Sequence, residues 1–174
     1  MRRASSNYKS ADAGGWMHKC DDLFLARYRG LPCEICGKTS GYDDGNTQSS
    51  CGHHLIFKGR CRKYRYEPMN IVVLCPTHHS HYNPHLSPHS IMNTQAQKAF
   101  ADWVKDNKPE QYEWWIRNQG EANQPFDKSW TYREMYERLG GEIITRTGKY
   151  SDMRPKNHAE AIRRVIDGRV KPSD

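Results

Sequence analysis

Cys33-Glu-Ile-Cys36 and Cys75-Pro-Thr-His78 each set two metal-binding side chains two residues apart. At that spacing both side chains of one tight turn reach a single ion. Zn²⁺ takes four sulfur or nitrogen ligands in a tetrahedron, so Cys33, Cys36, Cys75 and His78 together complete a closed structural site. Gly37, directly after the first pair, suits the backbone turn of such a knuckle. A lone Cys-x-x-Cys reads equally well as a redox motif; a distant Cys-x-x-His shifts the balance to zinc. Cys20, Cys51 and Cys61 have no spacing for a second four-ligand site and read as free thiols. Cys51 stands close enough to the histidines below to be an alternative ligand.

Seven of the nine histidines lie between His53 and His89. Neighbouring side chains on a strand point to opposite faces, so His53 can hold a metal while His54 faces elsewhere. Neutral imidazole is also the side chain best suited to take a proton from water near neutral pH. If residues 76–83 form a helix, His79 and Asn83 share a face one turn apart. A divalent ion held by His53, His79 and Asn83 would keep positions open for water and phosphate, as catalytic metal sites do. Imidazole and amide ligands admit Mg²⁺, Mn²⁺, Ni²⁺ or Zn²⁺. The run His78-His79-Ser80-His81 leaves the register open, with His81 able to replace either His78 or His79.

The elements that must position these residues are short. Residues 49–57 and 70–74 read as two strands, the second an apolar, β-branched run, Ile71-Val72-Val73-Leu74. Pro76 sits where a helix can begin. Farther on, Ala96, Ala99, Phe100, Trp103 and Val104 form one helical face, and Pro109 opens a second helix with Tyr112, Trp115 and Ile116 on one side. Both read as packing elements. Residues 1–19 read as mobile, and residues 21–29 as a short helix stopped by Gly30. Thr131 and Glu134 form a capping box ahead of Tyr132, Met135, Tyr136 and Leu139, with Gly140 as the stop. Asn157 caps a last helix with Ile162 and Ile166 inward, ended by Gly168.

The chain's 174 residues carry 27 Lys and Arg against 20 Asp and Glu, a formal charge of +7. Mean hydropathy is −1.00, so the core must be small for the length. Nineteen aromatic residues (ten Tyr, five Trp, four Phe) argue against a disordered chain. The basic balance favours a polyanionic partner, nucleic acid first. No apolar run approaches a membrane span, and the start lacks the apolar stretch of a signal peptide. A cytoplasmic protein with reduced thiols is the expectation. From Arg146 onward eight Lys and Arg stand against four Asp and Glu, read as a solvated face or an accessory DNA contact.

Cys33-x-x-Cys36, His53-His54, Asn70 and Leu74-Cys75-x-x-His78-His79 resemble the HNH endonuclease motif in its zinc-containing form. The resemblance spans roughly residues 33–83. The stretch from Phe100 to Trp114 also looks like the tail of small phage-encoded HNH proteins, which would place the protein in a bacterial host cell. The resemblance implies an α+β fold with a small ββα-metal core and a zinc knuckle, followed by helical extensions. It implies hydrolysis of DNA phosphodiester bonds, with His53 and His79 on a catalytic divalent metal and Asn83 as an added ligand. His54 would be the general base, and Asn70 would hold the hairpin loop and help orient it. Its departure from the usual pattern is His78, where a fourth Cys is common. Lys58, Arg60, Arg62, Lys63 and Arg65, with Tyr64 and Tyr66 and no acid, lie in the loop between the strands. That position inside the motif favours contact with DNA phosphates.

The expected organisation is a basic extension with a short helix (1–30), the zinc-bound nuclease core (31–90), packing helices (91–120) and a basic extension (121–174). Cleavage of branched DNA, homing and restriction all stay open. The lack of an obvious large specificity domain favours low sequence specificity, and one metal per strand makes a monomer a nickase. Double-strand cutting would need a homodimer or two successive nicks. The competing expectation is a non-catalytic zinc-ribbon module that binds nucleic acid. It accounts for the two knuckles and the charge but leaves His53, His54, Asn70 and His79 without a role.

Overall fold

A computed structural model describes residues 15–38, 50–58, 63–121, 130–145 and 153–168. The fold is α+β: helices with two small antiparallel sheets of two strands each. The chain gathers into two units. One comprises residues 28–127; the other joins residues 1–27 to residues 128–174. Among the described residues no helix is long and apolar enough to cross a membrane.

In the unit of residues 28–127, strand β1 (Cys51–His54) pairs with β2 (Ile71–Leu74), with Cys51 opposite Leu74 and His53 opposite Val72. Both strands are shorter than the sequence pattern suggests. All four side chains of β2 are buried, as an unbroken aliphatic run requires. A single-turn helix, here α1 (Pro76–His79), follows with Pro76 at its first position. The helix expected over 76–83 stops there. Ser80 is extended, and Pro84 disfavours helical backbone at Asn83 before it.

Helix α2 (Thr94–Asn107) starts at Asn93, whose side chain accepts from the Gln95 N–H at 2.8 Å. It buries Ala96, Phe100 and Val104, three of the five residues expected on its inner face. Pro109 ends it and opens α3 (Pro109–Asn118). Phe100 and Val104 pack with Leu55, Val72 and Leu74 into the core of this unit. Tyr112 and Trp115 pack partly buried at its margin, while Ile116 is exposed. The inward anchor of α3 is Gln111, whose amide donates to the Met69 and Ile71 carbonyls at 2.9 and 2.6 Å. These bonds lock the helix to the start of β2.

Among its described residues the other unit has three helices and a hairpin. Helix α4 (Trp16–Ala26) begins earlier than expected and ends sooner. Its apolar face, Met17, Leu23, Phe24 and Ala26, includes a residue assigned from composition to a mobile stretch. It packs against α5 (Tyr132–Arg138) and α6 (His158–Ile166). The capping box of Thr131 and Glu134 is present, and Gly140 takes a positive φ of 94° just past the helix. In α6 the buried residues are Ala161 and Val165, with Ile162 and Ile166 only half-buried. A hairpin pairs β3 (Glu142–Thr145) with β4 (Met153–Lys156). The buried Tyr136 hydroxyl meets His158 Nδ1 at 3.0 Å, and His158 Nε2 lies 3.3 Å from Asp22 Oδ2. Glu142 pairs with Arg164 and Lys156, so part of the basic C-terminal charge is neutralised internally.

Candidate metal centres

The Cys33–Cys36 turn is folded by its own backbone. Gly37, at φ 69°, donates to the Cys33 carbonyl at 2.7 Å, and Cys33 N–H donates to the Lys38 carbonyl at 3.0 Å. Glu34 fastens this turn to the sheet: its N–H donates to the Val73 carbonyl, and its carboxylate accepts from the Val73 N–H at 3.0 Å. Cys75 follows two residues later at the start of α1, and the single turn brings His78 back beside it. His78 Nδ1 lies 3.3 Å from Cys75 Sγ and 3.6 Å from Cys33 Sγ, and Cys36 Sγ lies 3.9 Å from Cys75 Sγ. The four donor atoms all fall within 4.8 Å of one another. Three sulfurs and one imidazole in that space can hold a metal ion such as zinc. Burial pushes the Cys33 thiol up, but backbone hydrogen bonds at Cys75, Cys36 and Ile35 outweigh it and favour the thiolate.

A second group lies on the other side of β2's end. His53 (β1), His79 (end of α1) and His89 (the loop before α2) place one imidazole nitrogen each within 4.8 Å of the others. Ring centroids are 5.3 Å apart for His53 and His79, 4.7 Å for His53 and His89, and 4.9 Å for His79 and His89. His53 is 5% exposed and rests edge-on against Phe100. Burial, reinforced by its histidine neighbours, holds its pKa well below 6.5; burial likewise lowers His79, to about 4, and lowers His89. All three are therefore neutral at pH 7, the state in which imidazole ligates metal.

His89 is held from several sides. His81 Nδ1 meets its carbonyl at 3.0 Å, the Ser87 hydroxyl accepts from its N–H at 3.2 Å, and Gln97 donates to the next carbonyl, of Ser90, at 2.7 Å. Asn83, expected to be a third ligand, has its side chain engaged in the loop. With α1 ended at His79, its carboxamide donates to the Thr77 carbonyl and accepts from the N–H groups of His85 and Leu86, folding the loop that delivers His89. His81 likewise supports His89 and replaces neither His78 nor His79. Cys51 Sγ comes within 3.9 Å of His79 Nδ1, beside the group but outside it.

His54 faces away from His53 along β1, yet both line one cleft together with His89. Its Nε2 lies 2.9 Å from the Arg65 carbonyl. Only a protonated Nε2 can bond there, which makes Nδ1 the basic nitrogen. Asn70, fully buried, holds the segment that carries this carbonyl. Its amide donates to the Tyr64 carbonyl at 2.9 Å and the Ile56 carbonyl at 3.0 Å, and its oxygen accepts from Ile56 N–H at 2.6 Å. The segment is further fixed by the Tyr64 hydroxyl, which lies 2.7 Å from both Asn118 Oδ1 and Glu121 Oε2 and shares its one proton between these acceptors.

The basic loop divides. Arg65, expected to contact DNA, is 4% exposed and closes the loop by donating to the Lys58 carbonyl at 3.1 Å. Lys63 is ion-paired with Glu121 at 2.6 Å. Lys58 is half-buried. Arg60 and Arg62 lie outside the described residues. Lys98 and Gln97 of α2 line the cleft and were not singled out in the sequence; they sit on the outer side of a helix legible only by its apolar stripe.

No family model, no curated protein and no solved structure matches this chain.

Proposed function

We propose that this chain is a metal-dependent DNA endonuclease of the zinc-containing HNH type, built on a ββα-metal core. One observation carries the reading. Three neutral imidazoles, one buried and two half-buried, from three separate elements converge beside a histidine whose tautomer is set by the Arg65 carbonyl. A purely structural metal site has no need of that fourth histidine, nor of a buried Asn70 bracing its partner. The succession of hairpin and short helix, with a Cys-x-x-Cys turn stitched to β2, adds support from the resemblance.

In this reading Cys33, Cys36, Cys75 and His78 hold structural Zn²⁺. A divalent ion on His53, His79 and His89 would supply Lewis-acid stabilisation of the charge building on the phosphate. A set of imidazoles without a carboxylate favours Zn²⁺ or Ni²⁺, then Mn²⁺, over Mg²⁺. His54 Nδ1 removes a proton from water as the water oxygen attacks phosphorus in line. The bond to the 3′ oxygen breaks, and that oxygen takes a proton from solvent. The ends left are a 5′-phosphate and a 3′-hydroxyl. One such centre cuts one strand, so a monomer nicks.

The test is conversion of supercoiled plasmid to open circles by metal-stripped protein given each ion separately. Nicking restored by Zn²⁺, Ni²⁺ or Mn²⁺ is expected, with His89→Ala needing more metal to reach the same rate. Tight DNA binding without nicking in any metal would instead favour the non-catalytic zinc-ribbon module.

A further inference from the structure

The cleft onto which His53, His54 and His89 open has a second wall that hydrolysis does not use. Its volume is about 710 Å³, inside the range of roughly 300–1,000 Å³ typical of sites that enclose a small molecule. Phe57, Trp115 and Lys98 belong to that wall. Phe57 is 57% exposed, although it directly follows the buried Leu55 and Ile56. Its backbone is nevertheless held in place, because Asn70 bonds both the N–H and the carbonyl of Ile56. Trp115 adds a second ring, braced edge-on by Tyr112 at 6.0 Å. Lys98 adds an exposed cation.

An aromatic ring left in water on a rigid backbone, beside a second ring and a cation, has the makings of a stacking platform. Paired bases in a duplex have their faces covered by their neighbours and offer such a wall only base edges, sugar and phosphate. An unpaired nucleotide offers a bare ring face and a phosphate together. We infer that the cleft takes an unpaired nucleotide next to the scissile phosphate, its base stacked on the Phe57 and Trp115 wall and its phosphate near Lys98. The substrate is then single-stranded DNA, including the single-stranded arm of a branched junction. This deepens the nuclease reading and rests on it for the cleavage step alone.

Binding and cleavage are measured separately. Fluorescence anisotropy uses the full-length His54→Ala protein, metal-loaded, with a labelled single strand and a duplex of the same sequence. The single strand is expected to bind at least about tenfold tighter. Phe57→Ala is expected to weaken single-strand binding about 5- to 100-fold, in line with stacking on one aromatic side chain, and to leave duplex binding unchanged. Phe57→Trp restores the affinity and Phe57→Leu does not, which separates stacking from mere apolar contact. Phe57 is exposed, so these variants keep the fold. Equal affinity for strand and duplex, or no effect of Phe57→Ala, overturns the inference. Cleavage of forked and fully paired oligonucleotides by the wild-type protein separates the two claims. Cutting of both at equal rates, indifferent to Phe57→Ala, leaves the nuclease and removes the unpaired-nucleotide site. Phe57-dependent strand binding without cutting does the reverse.

Discussion

The two units hold themselves together by different means. Residues 28–127 pack a small core of Leu55, Val72, Leu74, Phe100 and Val104 around two strands of four residues each. Both Cys/His groups capable of holding a metal lie in this unit. The other unit buries Met17, Leu23, Phe24, Tyr132, Tyr136, Leu139, Ala161 and Val165, and among the described residues no such group lies in it. Where strands are this short, apolar burial alone gives a marginal domain, and a metal cross-link supplies the difference. On the proposed function, the unit that would carry the chemistry is also the one whose fold would depend on ligands. The other relies on side-chain packing and on the Tyr136–His158–Asp22 chain.

Metal removal should separate them most. Structural zinc contributes apparent binding free energies of about 10–16 kcal/mol, as much as the whole stability of an ordinary domain. Chelation, or Cys75→Ser, should therefore strip hydrogen-exchange protection from Val72, Val73 and Leu74 while Tyr136 and Val165 keep theirs. Equal loss in both units would break the contrast. A smaller effect, still confined to residues 28–127, is expected from Asn70→Ala. It leaves the Ile56 N–H and the carbonyls of Ile56 and Tyr64 without their partner, costing about 3 kcal/mol in denaturant unfolding.

The reciprocal change is Gly141→Ala. A Cβ there would run into Cε1, Cδ1 and Cζ of the fully buried Tyr136 ring. Overpacking of about 2 kcal/mol should fall on the packing-dependent unit, read as lost protection in α5 and α6 with β2 unaffected. The smallest effect is acid sensitivity of the metal-stripped protein. The folded pKa of His53 and His79 lies below 6.5, for His79 at about 4. As pH falls below 6.5 the unfolded chain takes up protons that the folded chain refuses, so stability present at neutral pH is lost toward pH 4. About 1 kcal/mol from His79 is expected at pH 5.5, with His53 acting in the same direction, seen as falling protection in β2.

Local signals in the sequence were the ones that survived. The two ligand pairs, the capping box at Thr131 and the core of the α2 face each follow from spacing within a few residues. Asn70 as a brace came from resemblance, and its bonds to Ile56 and Tyr64 fit that role. His89 was visible only as one of many histidines, because an irregular loop held by side-chain hydrogen bonds has no periodicity. Asn83 was paired with His79 through a helix extended past His79, where the helix in fact ends; Pro84 already argued against that extension. Arg65 read as surface charge because composition cannot tell a solvated guanidinium from one closing a loop. The β3–β4 hairpin was missed for its brevity and for Pro155, a poor strand former. The joining of residues 16–26 to the far end of the chain rests on contacts more than a hundred residues apart, such as Cys20 Sγ to the Tyr132 carbonyl, which no local pattern announces.

The central claim, that His54 activates water beside a three-histidine metal, is tested most directly by the nicking rate of His54→Ala against wild type at equal bound metal. Loss of about 10²- to 10⁴-fold, with 5′-phosphate and 3′-hydroxyl ends on the wild-type product, is the predicted result. A His54→Ala protein that nicks at the wild-type rate would contradict it.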